Sequence, residues 1–329
     1  MKRHLIITGL VVAASLLPVK AIAATFSQLV VYGDSLSDLG RAAAATGGAA
    51  PPYSNVVGGG RFSNGPIWVE YLAASLGIPA NGNPATNRIT NFAVGGATTG
   101  TANTIQNLIV TPIIPALNGI QQQITNDNAV RDRDALYIIW GGANDYLGNV
   151  TTDPAIPVGN LFADINTLID RGARNILVPN LSDLGALPST RNLGTTAIGL
   201  SSLTAAHNAG LATTIANLKL AKPTVNLNLL DVNGLFNRIV TNPSSFEFTD
   251  VTTQCLTTTV CANPNANLFW DDIHPTTEGH RLIGELAFNT VSPTAVPEPI
   301  AILGSLMAGS AAIAFKRKLK AANVDRHDI

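Results

Sequence analysis

Charge is scarce in this sequence. Only 12% of the 329 residues are Asp, Glu, Lys or Arg, and the formal net charge is −1. Residues 24–299 contain 12 basic and 19 acidic side chains, a balance near −7. Proteins that bind nucleic acid or an anionic membrane surface need a concentrated basic patch. The balance therefore argues against both classes of partner, and we expect no nucleic acid.

Long hydrophobic runs are also few, and one of them opens the chain. Lys2 and Arg3 precede an apolar run at residues 5–17, and the small-x-small site Ala21-Ile22-Ala23 follows it. A transmembrane anchor is the alternative, but the run is short for one and is followed by a cleavage site. We predict a signal peptide at residues 1–23, passed through the Sec translocon and cut by signal peptidase.

The other apolar run lies near the end of the chain. It covers residues 300–315, follows Val296-Pro297-Glu298-Pro299, and precedes a basic cluster at residues 316–320. Sixteen residues make about 24 Å of helix, which is marginal for a bilayer of about 30 Å, and the basic end fits a cytoplasmic stop. The tail at residues 293–329 resembles the bacterial PEP-CTERM sorting signal. The resemblance implies recognition and cleavage by an exosortase at the Pro297-Glu298-Pro299 tail; a permanent C-terminal anchor is the alternative.

Cysteine is nearly absent. The two cysteines, Cys255 and Cys261, form an isolated close pair. In an exported chain such a pair favours a local disulfide, whereas a zinc site needs more ligands than these two residues supply. We therefore expect a disulfide and no metal.

Residues 24–292 are predicted to form one large α/β domain. Short β-branched runs predict strands at residues 29–32, 89–94, 135–140, 175–178 and 225–230, and longer patterns predict helices at 67–76, 161–171, 203–220 and 278–290. Strands separated by helices favour a parallel sheet covered on both faces, with reactive groups beyond the carboxyl ends of the strands. The segment at residues 242–267, which holds both cysteines, is expected to be irregular.

The end of the first strand carries a candidate nucleophile. An apolar run breaks at Gly33, and Ser35 follows almost at once, before a segment that could start a helix. A tight strand-to-helix turn exposes a hydroxyl next to backbone N–H groups that can stabilise negative charge. A simple Asx-type turn is the alternative interpretation of the same residues.

A second polar group lies close to the end of the domain. Asp271 precedes His274 by three residues, and a proline follows the histidine. On such a loop the carboxylate can accept the imidazole Nδ1–H and leave Nε2 free to take a proton from Ser35. A satisfied loop histidine and a capping aspartate are the alternatives. Of the other histidines in the domain, His207 is expected to be a packing or surface residue, and His280 a helix-surface residue or a group that supports the site.

Two glycine-bearing loops supply candidate oxyanion donors. Gly95-Gly96 follows the second predicted strand, and a glycine there lets a backbone N–H approach a substrate closely. Asn144 follows the third strand, and its amide could donate a hydrogen bond. A turn glycine and a helix N-cap are the respective alternatives.

These blocks together resemble the SGNH (GDSL) hydrolase family, in particular its secreted lipase/esterase branch. The matching residues, in chain order, are Gly33-Asp34-Ser35-Leu36, Gly96, Gly142-x-Asn144-Asp145 and Asp271-x-x-His274, with further similarity at Arg61-Phe62-Ser63-Asn64-Gly65, Trp68, Asn180-Leu181-Ser182-Asp183-Leu184-Gly185 and Pro188. The resemblance implies a three-layer α/β/α sandwich with a five-stranded parallel sheet of flavodoxin-like order.

The resemblance also implies a role for each matching residue. Ser35 would be the nucleophile, His274 the general base and then acid, and Asp271 its orienting partner. The oxyanion donors would be the Ser35 N–H, the Gly96 N–H and the Asn144 side chain, with Gly95 competing for the second place. Three further acidic residues are expected to be structural: Asp34, Asp145 and Asp272.

The expected function is that of a secreted carboxylic-ester hydrolase. It would act on an ester substrate through an acyl-enzyme, with no cofactor. An esterase that removes acetyl groups from extracellular polysaccharide is one alternative, and a non-catalytic surface protein that kept the fold is another.

Overall fold

Five parallel strands form the centre of the computed structural model, which describes residues 26–51, 58–79, 88–106, 117–129 and 132–292. The strands are β1 (Leu29–Gly33), β2 (Ile89–Asn91), β3 (Leu136–Trp140), β4 (Asn175–Pro179) and β5 (Asn226–Leu230). Their order is β2-β1-β3-β4-β5, and every neighbouring pair is parallel. The predicted parallel sheet of flavodoxin-like order is therefore confirmed.

The central strands are buried on both faces. Every residue of β1 and β3 is buried, and the two strands align with Leu29 opposite Leu136 and Gly33 opposite Trp140. Successive β1 residues belong to different apolar clusters: Val31 packs in one and Val30 in the other. Because side chains alternate across a strand, these clusters lie on opposite faces of the sheet. The three-layer arrangement predicted from the sequence is confirmed.

Eight α-helices occur in the described residues. They are α1 (Arg41–Ala45), α2 (Trp68–Ser75), α3 (Ile120–Asn126), α4 (Ala143–Leu147), α5 (Ala155–Asp170), α6 (Thr195–Ala221), α7 (Val232–Thr241) and α8 (Thr277–Val291). The four predicted helices are α2, α5, α6 and α8. Helix α6 begins at Thr195 rather than at residue 203, because threonine, glycine and serine residues interrupt the apolar pattern of its first turns.

The segment around the cysteines is more regular than expected. Strand β6 (Asp250–Gln254) pairs in parallel with β7 (Asn267–Phe269), so the expectation of an irregular segment at residues 242–267 is wrong for β6 and for the start of β7. Because β6 lies in a small two-stranded sheet, it needs no apolar face. Its threonine-containing sequence therefore shows no alternation of apolar and polar residues. A disulfide joins Cys255 to Cys261 directly after it.

The two predicted targeting segments, residues 1–23 and 293–329 with its apolar run at 300–315, lie outside the described residues. The described residues belong to one compact unit, Ala24–Ser292. Within the described ranges, no helix combines the length and the apolar character that crossing a membrane would take.

Candidate active site

The structure brings Ser35, His274 and Asp271 into one hydrogen-bonded chain. Ser35 Oγ lies 2.7 Å from His274 Nε2, although the two residues are 239 positions apart in the sequence. On the other side of the ring, His274 Nδ1 lies 2.9 and 2.8 Å from the two carboxylate oxygens of Asp271. Ser35 and His274 are each only 8% exposed. The serine hydroxyl thus faces a basic nitrogen of an imidazole that a carboxylate holds in place.

The turn that carries Ser35 is fixed by backbone contacts at the end of β1. Asp34 Oδ1 accepts the Leu36 N–H at 3.0 Å, which closes the turn around the serine. Just before it, the Gln123 side chain accepts the Gly33 N–H and donates to the Gly33 carbonyl. A Cβ at Gly33 would lie 2.8 Å from the Trp140 carbonyl oxygen, so the close approach of β1 and β3 requires glycine there.

The loop that carries His274 is closed by its own aspartate. Asp271 Oδ1 accepts the backbone N–H groups of Ile273 and His274, at 2.9 and 2.7 Å. The Trp270 N–H donates to the His274 carbonyl oxygen at 2.8 Å. The same carboxylate therefore shapes the loop and orients the imidazole, which explains why three residues separate the aspartate from the histidine.

The segment at residues 61–65, noted in the sequence only for its resemblance, packs against this loop. The Phe62 ring lies 5.0 Å from the His274 ring, centroid to centroid. Ser63 Oγ donates to the Pro275 carbonyl oxygen, and Asn64 Oδ1 accepts the Thr277 N–H. These contacts hold the histidine loop on both sides of His274.

The electrostatics favour a basic His274. Burial alone would lower the pKa of this imidazole, but the Asp271 carboxylate, together with Asp34 and Asp272, outweighs burial and holds the pKa of His274 above its ordinary value. Next to the nucleophile, burial raises the pKa of Asp34 to about 7, against the opposing influence of the Leu36 N–H and of His274. Asp34 therefore changes charge close to neutral pH.

The two glycines of the Gly95-Gly96 pair differ in their hydrogen bonds. The Gly95 N–H is occupied, because it donates to Asp38 Oδ2 at 2.8 Å. The Gly96 N–H has no acceptor among the described residues, and Gly96 adopts φ 78°, a left-handed conformation that favours glycine. The Ser35 N–H likewise has no acceptor in the described part of the chain. Two backbone donors are thus unengaged beside the serine.

Asn144 contributes a third donor to the same cleft. Its Nδ2 donates one hydrogen to the Ala97 carbonyl oxygen at 3.0 Å. No acceptor within the described ranges takes the second amide hydrogen. The following residue, Asp145, accepts the Thr99 N–H and Oγ1–H at 2.9 and 2.7 Å, which ties helix α4 to the loop after Gly96.

Around the serine lies a mainly apolar cleft of about 180 Å³. A second, narrower cavity shares part of its wall with the cleft and extends toward β3 and α7. Four residues line both cavities: Leu36, Ala143, Leu147 and Ile273. Leu36 follows the serine and Ile273 precedes the histidine, so the narrow cavity begins beside the hydrogen-bonded pair. Within the described ranges, no three His, Cys, Asp or Glu side chains cluster in a way that could hold a metal ion.

Sequence reasoning missed several residues that support the site. Asp38 accepts the Gly40, Arg41 and Ala42 N–H groups at the start of α1 as well as the Gly95 N–H, so it joins the serine loop to the glycine loop. The sequence signal for Asp38 is an aspartate just ahead of a helical segment.

The two other histidines of the domain lie in the interior. His280 is fully buried, so the surface alternative for it is wrong. His207 is also fully buried and packs beneath helix α4.

Comparison with known proteins identifies the family of the chain. The family model of the GDSL-like lipase/acylhydrolases matches residues 29–287. The chain is 29% identical to a phosphatidylcholine-sterol acyltransferase from Aeromonas hydrophila, over 80% of this chain and 89% of that protein. It is 27% identical to an acetylesterase from Thermothelomyces thermophilus, over 83% of this chain and 91% of that protein. A solved structure of a lipolytic protein of the G-D-S-L family from Veillonella parvula is 18% identical with a TM-score of 0.45, over 80% of this chain and 96% of that one. Because the family model matches more than half of the chain, the chain belongs to the GDSL-like lipase/acylhydrolase family, and it is a hydrolase of ester bonds.

Proposed function

We propose that the protein hydrolyses carboxylic esters by a two-step acyl transfer in which Ser35 is the nucleophile. The observation that carries this proposal is the 2.7 Å contact between Ser35 Oγ and a His274 ring that Asp271 orients. Ser35 Oγ attacks the ester carbonyl as His274 Nε2 takes the hydroxyl proton. The imidazolium then gives the proton to the departing alcohol. In the second step His274 takes a proton from water as the water attacks the acyl-enzyme, and it returns that proton to Ser35 Oγ as the carboxylic acid leaves.

The oxyanion of each tetrahedral intermediate is held by the Ser35 N–H, the Gly96 N–H and the free hydrogen of the Asn144 amide. These three groups line the same cleft and have no competing acceptor among the described residues. Removing one donor of this kind costs on the order of 3–4 kcal/mol of transition-state stabilisation.

The cleft favours an ester with an aliphatic acyl group. Its walls include Leu36, Leu147 and Ile273, and the adjoining narrow cavity is also mainly apolar. Burying each methylene of an acyl chain there contributes about 0.8 kcal/mol. Removal of acetyl groups from extracellular polysaccharide is the second candidate, supported by the similarity to an acetylesterase.

An active-site probe and a substrate panel test the proposal. The full-length protein is incubated with a fluorophosphonate and digested for mass spectrometry, with Ser35→Ala as the matched control. We expect one labelled peptide containing Ser35 and no labelling in the variant. Turnover is then measured on p-nitrophenyl esters from acetyl to dodecanoyl and on acetylated xylan. Preference for acetyl groups would favour the second candidate, and an unlabelled Ser35 would support a non-catalytic surface protein.

We further propose that the chain works outside the cytoplasm, at the cell surface, in the extracellular matrix or in secreted form. The signal-like residues 1–23 and the sorting-like tail around Pro297-Glu298-Pro299 support this. Intact mass of the protein recovered from an exosortase-containing bacterium tests it. Loss of both segments is expected, and a mass that retains residues 300–315 would indicate a permanent anchor.

A further inference from the structure

Helix α4 carries Asn144 but has little means of holding its own orientation. It spans only Ala143–Leu147, and an isolated helix of this length is not stable in water. Asp145 ties one side of the helix to Thr99. The other side faces the interior, where a buried histidine of a distant helix meets it.

That histidine is His207, which lies in the middle of α6. Its Nδ1 lies 3.0 Å from the Tyr146 hydroxyl, and the two rings meet edge to face with centroids 5.8 Å apart. His207 is fully buried and Tyr146 is 3% exposed. Tyr146 follows Asn144 by two residues on the same short helix, so the hydrogen bond anchors the far end of α4.

The same imidazole also contacts the start of α4. Gly142, immediately before the helix, adopts φ 120°, a conformation that L side chains rarely take. A Cβ added there would lie 2.7 Å from His207 Cε1 and 3.2 Å from Nε2. The ring therefore presses against the Gly142 backbone, where β3 turns into α4. Asn144 lies between these two points of contact.

Simple packing does not account for a histidine at this position. His207 Nε2 has no hydrogen-bond partner among the described residues, and burial lowers the pKa of the ring to about 4, so it is neutral at ordinary pH. A leucine would fill the space without leaving a buried ring nitrogen unmatched. What the imidazole adds is the polar Nδ1 that bonds Tyr146.

We propose that His207 is a positioning residue that holds α4 through Tyr146 and Gly142, so that the Asn144 side chain faces the oxyanion. The inference rests on the oxyanion role proposed above for Asn144. His207 does not touch the substrate; it acts through the orientation of the helix.

The test is a set of three variants with kinetics per active site, where active sites are counted by fluorophosphonate labelling. We expect His207→Leu to lower kcat on p-nitrophenyl butyrate by about tenfold, with KM within about twofold. Tyr146→Phe should lower kcat by about fivefold because it removes the hydrogen bond and keeps both rings. His207→Asn places an amide atom near the Nδ1 position, so it should stay within about threefold of the original kcat.

A double-mutant cycle with Asn144→Ala separates positioning from general destabilisation. If His207 acts through Asn144, then His207→Leu should cost less than about twofold in the Asn144→Ala background. An equal loss in both backgrounds would overturn the inference, as would full kcat in His207→Leu. If Asn144→Ala alone keeps full kcat, the proposed oxyanion role of Asn144 is wrong. This outcome is measured on Asn144→Ala, so it is distinguishable from a failure of the His207 proposal, which is measured on His207→Leu.

Leu211→Ala provides the matched control for stability. Leu211 is fully buried one turn further along α6 and belongs to the apolar cluster on one face of the sheet. We expect Leu211→Ala to lower the melting temperature while leaving kcat per labelled site unchanged. If it lowers kcat as much as His207→Leu does, the loss reflects destabilisation and the inference is overturned.

Discussion

Replacing Asp38 by alanine should damage both the stability of the fold and the oxyanion loop. The Asp38 carboxylate accepts four backbone N–H groups at 2.5 to 3.0 Å: those of Gly40, Arg41, Ala42 and Gly95. The first two lie at the partly exposed start of α1, where water can replace the carboxylate. The N–H groups of Ala42 and Gly95 are buried and would be left without an acceptor.

The magnitude follows from counting these groups. Each buried N–H that loses its partner costs about 1–3 kcal/mol, and the loss of the cap on α1 costs about 1 kcal/mol. The free energy of unfolding should therefore fall by about 5 kcal/mol, within a range of about 3–7 kcal/mol, in Asp38→Ala. Asp38→Asn should cost only about 2 kcal/mol, because its amide oxygen can still accept the buried Ala42 and Gly95 N–H groups, while its NH2 group faces the partly exposed Gly40 and Arg41 N–H groups and cannot accept from them.

Urea unfolding and kinetics per labelled site measure the two effects. In Asp38→Ala the Gly95-Gly96 segment loses its anchor, so kcat should fall at least about tenfold, whereas Asp38→Asn should stay within about threefold. Asp153→Ala is the control, because Asp153 caps the start of α5 from an exposed position. It should cost about 1 kcal/mol and leave kcat unchanged. Equal stability losses for the two Asp38 variants, or full kcat in Asp38→Ala, would refute the reasoning.

Three further predictions concern the donors, a buried acid and the acyl group. Asn144→Ala should lower kcat by about a hundredfold with little change in KM, and unchanged turnover would leave Asn144 with a purely structural role. Burial raises the pKa of Asp164 to about 8, so this carboxyl is protonated in the fold while the unfolded chain ionises it from about pH 4. As pH rises from 5 to 8, the original protein should therefore lose stability relative to Asp164→Asn by up to about 1.4 kcal/mol per pH unit, measured by urea unfolding. If the free energy of unfolding of the two proteins changes with pH in parallel, the Asp164 carboxyl is not desolvated. Leu147 lines both cavities, so Leu147→Phe should reduce the space for a long acyl chain and lower kcat/KM at least about tenfold for octanoyl relative to acetyl esters, and an unchanged ratio would place the acyl chain elsewhere.

The sheet could be predicted because its signal is local. Strand β1 is a short apolar run that ends in a glycine, and its residues are buried on both faces as such a run requires. The alternation of such runs with helical patterns was enough to give a parallel sheet. No range was predicted for helices α1, α3, α4 and α7; the first three span only five to seven residues, too few to show a clear period.

The residues that shape the site were harder to find because their partners are far away in the sequence. Gln123 bonds both backbone groups of Gly33 from a helix 90 residues later, and nothing near Gln123 distinguishes it from other glutamines. His207 presents an ordinary polar position in a long helix until Tyr146 and Gly142 are placed against it. A local pattern identifies residues whose role depends on their neighbours in sequence, such as Asp271 and His274.

Motif spacing in the sequence could not decide whether Gly95 or Gly96 supplies the second oxyanion donor. A motif match cannot tell adjacent glycines apart, since either one could supply a backbone donor at the end of the same strand. The distinction comes from non-local contacts: Asp38 takes the Gly95 N–H, and a Cβ on Gly95 would lie 2.3 Å from the Phe62 ring that packs on His274. Gly96 has the left-handed φ and the unengaged N–H. The two glycines therefore meet different requirements, the first giving room for the Phe62 ring and the second leaving an unengaged N–H in the cleft around the serine.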